Sequence, residues 1–132
     1  MQYEQDYMMR LIKQVIRALL GTLLNKKTTP AYEMPINDQQ TSGDDFLSGL
    51  ILLADAGSIC DAENRLMDML ESGSEEAFLA ALAFYDHINE YDDDFLEEHS
   101  FSREEIKDGV LLTARRMGSF PLAMALLEGE EL

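Results

Sequence analysis

The stretch from Tyr7 to Leu24 constrains the fold more than any other part of the sequence, because its apolar residues recur as doublets at every fourth position. The apolar positions are Met8, Leu11, Ile12, Val15, Ile16, Leu19, Leu20, Leu23 and Leu24. On an α-helix these side chains fill an arc of roughly 180–220°, and polar or basic residues occupy the remainder. A stripe of about 100° is enough to lie on a single neighbour. We therefore expect this helix to be buried in a groove, against a second chain or on a membrane surface.

The rest of the chain is predicted to be helical after one polar interruption. Residues 26–43 contain Pro30 and Pro35 and show neither helical nor strand periodicity, which indicates a connector. From residue 44 onward the apolar segments have helical spacing, and β-branched residues are few and never alternate. The sequence thus predicts an all-α protein of six or seven helices. Its parts are an N-terminal amphipathic helix over residues 1–25, a connector over 26–43 and a helical-hairpin domain over 44–132.

Local signals mark the ends of the helices in this domain. The predicted helices run from Asp44 or Ser42 to about Ala56, from Ser58 to about Leu70, from Ala77 to Tyr91, from Asp92 to Glu98, from Ser102 to about Met117, and from Ser119 onward. Glycine followed by serine recurs at residues 57, 73 and 118, so that a turn and a helix cap alternate along the chain. Ser102 and Glu105 have the spacing of a capping box. The segment from Ala77 to Tyr85 is apolar nearly all round, which is typical of a helix in the middle of an assembly.

A short sequence pattern is repeated within the domain. The pattern G-S-I-x-x-A at residues 57–62 recurs as G-S-F-x-x-A at residues 118–123. A glycine turn, a bulky residue and then a small residue at a helix crossing are the layout of a tetratricopeptide-type hairpin. Residues 44–131 therefore resemble an array of antiparallel tetratricopeptide-like hairpins, which implies that Ala62 and Ala123 lie at close crossings. Together with the N-terminal MQYEQDYMMRLIKQVIRALLGTLL, the chain resembles an uncharacterised bacterial family of small all-helical proteins; this resemblance implies a fold and no activity.

The charge of the chain is strongly acidic and unevenly distributed. There are 26 acidic and 10 basic residues, for a net charge of −16, and half of the basic residues lie in the first thirty positions. An acidic body repels nucleic acid, which is bound through Lys and Arg facing phosphates. The single cysteine, Cys60, is compatible with a reducing cytosol, so we expect a cytoplasmic protein without a nucleic-acid partner. We also expect no signal peptide and no transmembrane helix, because Lys13 and Arg17 interrupt the first apolar run.

The sequence contains no recognisable catalytic motif. The phosphate-binding glycine loop, the dinucleotide fingerprint and the serine-hydrolase elbow are all missing. His87, Glu90 and Asp94 would share a helix face and could offer nitrogen and oxygen ligands to a transition metal. The E-x-x-H pair that di-metal bundles carry on two helices is missing, so a solvated acidic face is the stronger interpretation. We therefore expect no enzyme activity, no metal site and no cofactor.

The function itself is not named by the sequence, and two interpretations are left. In the first, the protein is a non-catalytic protein-interaction module or scaffold whose helices hold a peptide or a partner helix. In the alternative, it associates with a membrane surface or binds a metal. The predicted partner-binding residues lie on the first helix and are Leu11, Ile12, Val15, Ile16, Leu19, Leu20 and Leu23, with Arg10, Lys13 and Arg17. The breadth of the apolar arc favours a homodimer formed through this helix.

Overall fold

A computed structural model of the protein describes residues 2–26 and 41–129, and within them the chain forms seven α-helices and no strand. The helices are α1 (Gln2–Lys26), α2 (Thr41–Asp55), α3 (Ile59–Leu70), α4 (Glu75–Ile88), α5 (Asp93–Glu98), α6 (Arg103–Met117) and α7 (Phe120–Gly129). The all-α class and the number of helices are thereby confirmed. Most of the predicted connector, residues 27–40, lies outside the described part of the chain, as does the C-terminal end after residue 129.

Two helix ends differ from the prediction. α2 begins at Thr41, which lies inside the predicted connector over residues 26–43. α4 ends at Ile88 rather than Tyr91, and Asn89 is its C-cap.

Side-chain caps fix the starts of three helices. Ser74, Asp92 and Ser102 each accept a hydrogen bond from the backbone N–H three residues later, at the beginnings of α4, α5 and α6. Ser58 makes no such bond, so the turn before α3 depends on Gly57, whose φ of 101° is one that L residues rarely adopt.

α4 lies at the centre of the packing, as its apolar pattern predicts. It contacts α1, α2, α3 and α6, whereas α2 also packs on α3, and α6 on α7. Its buried residues are Ala77, Phe78, Ala80, Ala81, Leu82, Phe84, Tyr85 and Ile88. α1 completes the core by packing against α4, α6 and α7.

Small residues allow the helices to approach one another closely. Ala62 and Ala123, the alanines of the repeated pattern, are both fully buried. Gly109 in α6 lies against the ring of Tyr85, so a Cβ atom at this position would collide with the phenol. Glycine is therefore needed at residue 109 to admit the tyrosine between α4 and α6, and this is a packing requirement that the helical pattern of α6 alone does not reveal.

We predict that Gly109→Ala lowers the free energy of unfolding by about 1–3 kcal/mol, because the added methyl group overpacks the contact with Tyr85. Gly49→Ala is the matched control, since a Cβ atom at this helical position meets nothing within 4 Å. It should raise the stability by roughly 0.5–1 kcal/mol through helix propensity. Urea unfolding followed by circular dichroism measures both, and equal effects of the two substitutions would contradict the close packing.

Candidate interaction site

The apolar side of α1 lies in a groove formed by α4, α6 and α7 of the same chain. Of the seven apolar residues predicted to bind a partner, six are buried here: Leu11, Ile12, Val15, Ile16, Leu19 and Leu23. Leu20 is half-buried, and Leu24, in the last turns of the helix, is 45% exposed. The breadth of the arc favoured a second chain as its cover, but three helices of the same chain bury most of it.

The contact between α1 and the groove is closely packed. Ile12 and Val15 face Val110 and Leu111 of α6 and Leu127 of α7, with Lys107 at the edge. The gap between these side chains has no room for a water molecule. Truncation of any of the larger side chains would leave a cavity, as it does in a hydrophobic core. α1 is therefore part of the core of the protein.

A buried polar junction fixes α1 at the end of α4. The Asn89 side chain is completely buried, and its Nδ2 donates a hydrogen bond to the backbone oxygen of Met9 over 3.0 Å. Arg103 is only 4% exposed, and its Nη1 donates to the backbone oxygen of Asn89 over 2.7 Å. Its Nη2 donates to Asp93 Oδ1 over 2.6 Å and to the backbone oxygen of Tyr91 over 3.2 Å. Because a buried amide needs its partners, a shift of α1 along the groove would break the bond to Met9.

An ion pair at the rim of the groove aligns the charged side of α1 with α4. Lys13 donates a hydrogen bond to Glu90 and lies 3.6 Å from Asp86. The bond to Glu90 raises the pKa of Lys13 above its ordinary value of 10.5. Arg10 and Arg17, the other two predicted basic contacts, are exposed on the outside of α1.

The three side chains weighed as metal ligands have different surroundings. His87 bonds through Nε2 to Asp55 Oδ1 over 2.9 Å, Glu90 holds Lys13, and Asp94 is exposed. Across the part of the chain that the structure describes, no group of three or more His, Cys, Asp or Glu residues is arranged to hold a metal ion.

A ladder of rings with a spacing of four residues was missed in the sequence. His87, Tyr91, Phe95 and His99 contact one another in turn, with centroid separations of 5.5, 4.6 and 4.6 Å. The ladder ends at the turn that follows α2, where His99 lies against Gly57. The Tyr91 hydroxyl lowers the pKa of Asp55 by donating a hydrogen bond to it, and His87 adds to this effect. The regular spacing was the available signal, but it continues through the turn between α4 and α5, where helical periodicity is not expected.

A second polar contact lies on the opposite side of α4, next to a cleft of about 240 Å³ between α3 and α6. The buried Tyr85 hydroxyl donates to Glu63 Oε2 over 2.8 Å. Burial raises the pKa of Glu63, and the nearby carboxylates of Glu105 and Asp108 raise it further, while the bond from Tyr85 opposes them. The same burial raises the pKa of Tyr85, so the hydroxyl stays protonated and acts as the donor.

Residues 2–118 match the model of a family described as a "Family of unknown function (DUF6483)". The chain belongs to this family. No curated protein and no solved structure matches the chain. The family match confirms the expected membership of an uncharacterised family and ends at the glycine that caps α6, before α7. None of the described helices is both long enough and apolar enough to cross a membrane.

We predict that Glu63→Gln raises the unfolding midpoint at pH 7 and that this gain disappears in acid. A carboxyl group whose folded pKa is raised gives its full stability below its ordinary pKa of 4.5 and loses stability as the pH rises through the folded value. Glutamine avoids this loss and still accepts the hydrogen bond from Tyr85. Thermal unfolding between pH 3 and pH 8 measures the effect.

The control for this prediction is Glu71→Gln, which removes the same charge at an exposed position after α3. It reports how much of the gain comes from lowering the general negative charge. Equal gains for the two variants at every pH would contradict the burial of Glu63.

Proposed function

We propose that the protein is a non-catalytic protein-interaction module or scaffold whose helical body recognises an amphipathic helix. One observation carries this proposal: α4, α6 and α7 already hold such a helix, α1, along most of its apolar side. Helix-in-groove binding is a recurrent mode of recognition, in which the apolar face supplies affinity and neighbouring polar groups set the position.

The groove has both kinds of contact. Apolar side chains such as Val110 and Leu127 meet the apolar side of the helix, and Asp86 and Glu90 receive a basic side chain at its rim. Asn89 sets the position of the helix along the groove by donating to a backbone oxygen, that of Met9 in α1. A partner helix for this groove would therefore be apolar at the positions of Ile12, Val15 and Ile16 and basic at the position of Lys13.

The order of helix contacts favours a tetratricopeptide-like array as the framework of the module. α2 packs on α3, α6 packs on α7, and α4 packs between α2 and α6. In an array of hairpins the first helices of successive hairpins are neighbours, and the short α5 would be the second helix of the middle hairpin. α1 would then lie across the first helices of two hairpins, on the surface that repeat arrays commonly use for binding.

The alternative functions have less support. Insertion of α1 into a membrane surface requires a free apolar side, and that of α1 is covered by its own chain. Of the candidate metal ligands, His87 bonds to Asp55 and Glu90 to Lys13, and no group of three among the described residues is arranged to hold a metal ion. We propose that the partner is another protein or a second copy, as a homodimer in the cytoplasm, and that no cofactor or nucleic acid takes part.

The test compares Lys13→Glu and Arg17→Glu as baits in affinity capture from the source organism, with abundances measured by mass spectrometry. Lys13→Glu places a negative charge next to Asp86 and Glu90 and so weakens the binding of α1 to the groove. The residues of the groove itself are unchanged. Arg17→Glu changes the net charge equally at an exposed position of the same helix. A surface ion pair contributes roughly 0.5–1 kcal/mol, so partners that compete with α1 should be recovered about two- to fivefold more with Lys13→Glu.

Wild-type protein and a tagged acidic protein of similar size serve as controls. The proposal is wrong if no protein is enriched over the acidic control. Equal recovery with both variants would show that bound proteins do not use the groove.

A further inference from the structure

The main contacts of α1 join it to parts of the chain that are distant in sequence. Lys13 and Glu90 are 77 residues apart, and Met9 and Asn89 are 80 residues apart. α2, the first helix that follows α1, packs mainly on α3 and α4. α1 is therefore attached to the body, which we define as α2 to α7, through its contacts in the groove and through the covalent segment 27–40.

This covalent segment is long compared with the body. It has fourteen residues, between Lys26 and Thr41, and a chain of that length can span up to about 50 Å. The body has 89 residues, from Thr41 to Gly129, so its radius of gyration is about 12 Å. The segment is therefore long enough for α1 to reach the groove of a neighbouring copy as well as its own.

We propose that a second copy of this chain supplies α1 to the groove, so that two copies exchange their first helices in a two-fold symmetric dimer. This inference rests on the proposed function, because it names the partner helix of the same groove. The α1 helix of a second copy brings the same apolar side chains to Val110 and Leu127, the same lysine to Glu90 and the same backbone oxygen to Asn89. Each groove in this dimer is completed by a helix of the other chain.

The part of the apolar side that the groove leaves uncovered lies near the segment 27–40. Leu20 is half-buried and Leu24 is 45% exposed, and the two leucines are neighbours on one side of α1. In the exchanged dimer each chain passes from one body to the other just after this end of α1. The two leucines therefore lie close to the place where the copies meet, and their burial there favours the dimer over the monomer.

The charge distribution favours the exchanged helix over other contacts between copies. Between Tyr7 and Leu24 there are three basic residues and no acidic one, whereas the whole chain has a net charge of −16. Two acidic bodies repel one another, and a basic helix is attracted to the acidic rim formed by Asp86 and Glu90.

The copy of α1 on the same chain competes with the exchanged helix. A helix tethered by a short flexible segment has an effective concentration in the millimolar range, and the groove contacts are the same in both arrangements. The dissociation constant of the wild-type dimer is therefore on the order of 1 mM. Exchange is measured best when the contact within each chain is weakened and the contact between chains is kept.

Two full-length variants with reversed charges create this situation. One carries Lys13→Glu, and the other carries both Asp86→Lys and Glu90→Lys. Within either variant alone, like charges face one another across the rim of the groove, in the monomer and in the exchanged dimer. In an exchanged dimer of the two variants, opposite charges meet in both grooves.

The test refolds an equimolar mixture of the two variants from urea, so that α1 can exchange, and measures dimers by sedimentation equilibrium. Native mass spectrometry with one variant labelled with ¹⁵N identifies the mixed species. Replacing repulsion by attraction should favour binding about fivefold in each groove, and therefore about 25-fold in the mixed dimer. At about 100 μM of each chain roughly half should be in mixed dimers, whereas each variant alone should be mostly monomeric.

The control mixes Arg17→Glu with the same Asp86→Lys and Glu90→Lys variant. Arg17→Glu has the same net charge as Lys13→Glu, but residue 17 is exposed on the outside of α1. Exchange in this mixture leaves the number of favourable and unfavourable rim contacts unchanged, so it should give no more dimer than the single variants. Circular dichroism checks that each variant is folded, and Glu90→Lys alone replaces the double substitution if that variant loses helix.

Each contrary result has a separate meaning. A mixture of folded variants that contains no mixed dimer overturns the exchange and leaves the affinity capture to decide whether other proteins use the groove. Equal amounts of mixed dimer in the test and in the control overturn the exchange as well, since the association then depends on net charge and not on the rim of the groove.

Discussion

The fold depends on the burial of the wide apolar side of α1. The six helices after it do not close on themselves, because α4, α6 and α7 leave a groove that α1 fills with Ile12, Val15, Ile16 and other apolar side chains. Isolated helices are marginal in water, and a helix with half of its circumference apolar gains most from a groove that contacts it on several sides. The same contact completes the surroundings of α4, so α1 and the body stabilise one another.

Polar contacts make this burial specific. Apolar packing alone allows a helix to slide or rotate, whereas the bond from buried Asn89 to the Met9 oxygen fixes one position along the groove. Arg103 donates to the backbone oxygen of Asn89 and also to Asp93, which connects this residue to the start of α5. Lys13 adds an ion pair at the rim, which contributes little to stability and more to orientation. The site is thus a helix-binding groove with a defined register, and this is the basis of the proposed interaction function.

The sequence predicted the helices well and the contacts between them poorly. Doublets of apolar residues and the caps at Ser74 and Ser102 are local signals, so the class and most helix bounds could be inferred from them. The buried role of Arg103 could not be inferred, since a charged residue in a first turn is ordinarily exposed. Its three acceptors lie 10 to 14 residues earlier, between the end of α4 and the start of α5, and only the tertiary fold brings them to it. The need for glycine at residue 109 likewise depends on Tyr85, which is 24 residues away. The apolar arc of α1 was recognised as a contact surface, but whether its own chain or another would cover it depends on tertiary packing.

The most direct test of this account is native-state hydrogen exchange of the dilute full-length chain, compared between α1 and α4. If α1 is part of one cooperative core, the amides from Ile12 to Leu19 should open with free energies close to those of the central amides of α4, within about tenfold in exchange rate. Exchange of the α1 amides at the rate of an unstructured peptide, with α4 still protected, would show that α1 is not held in the groove and would contradict the account.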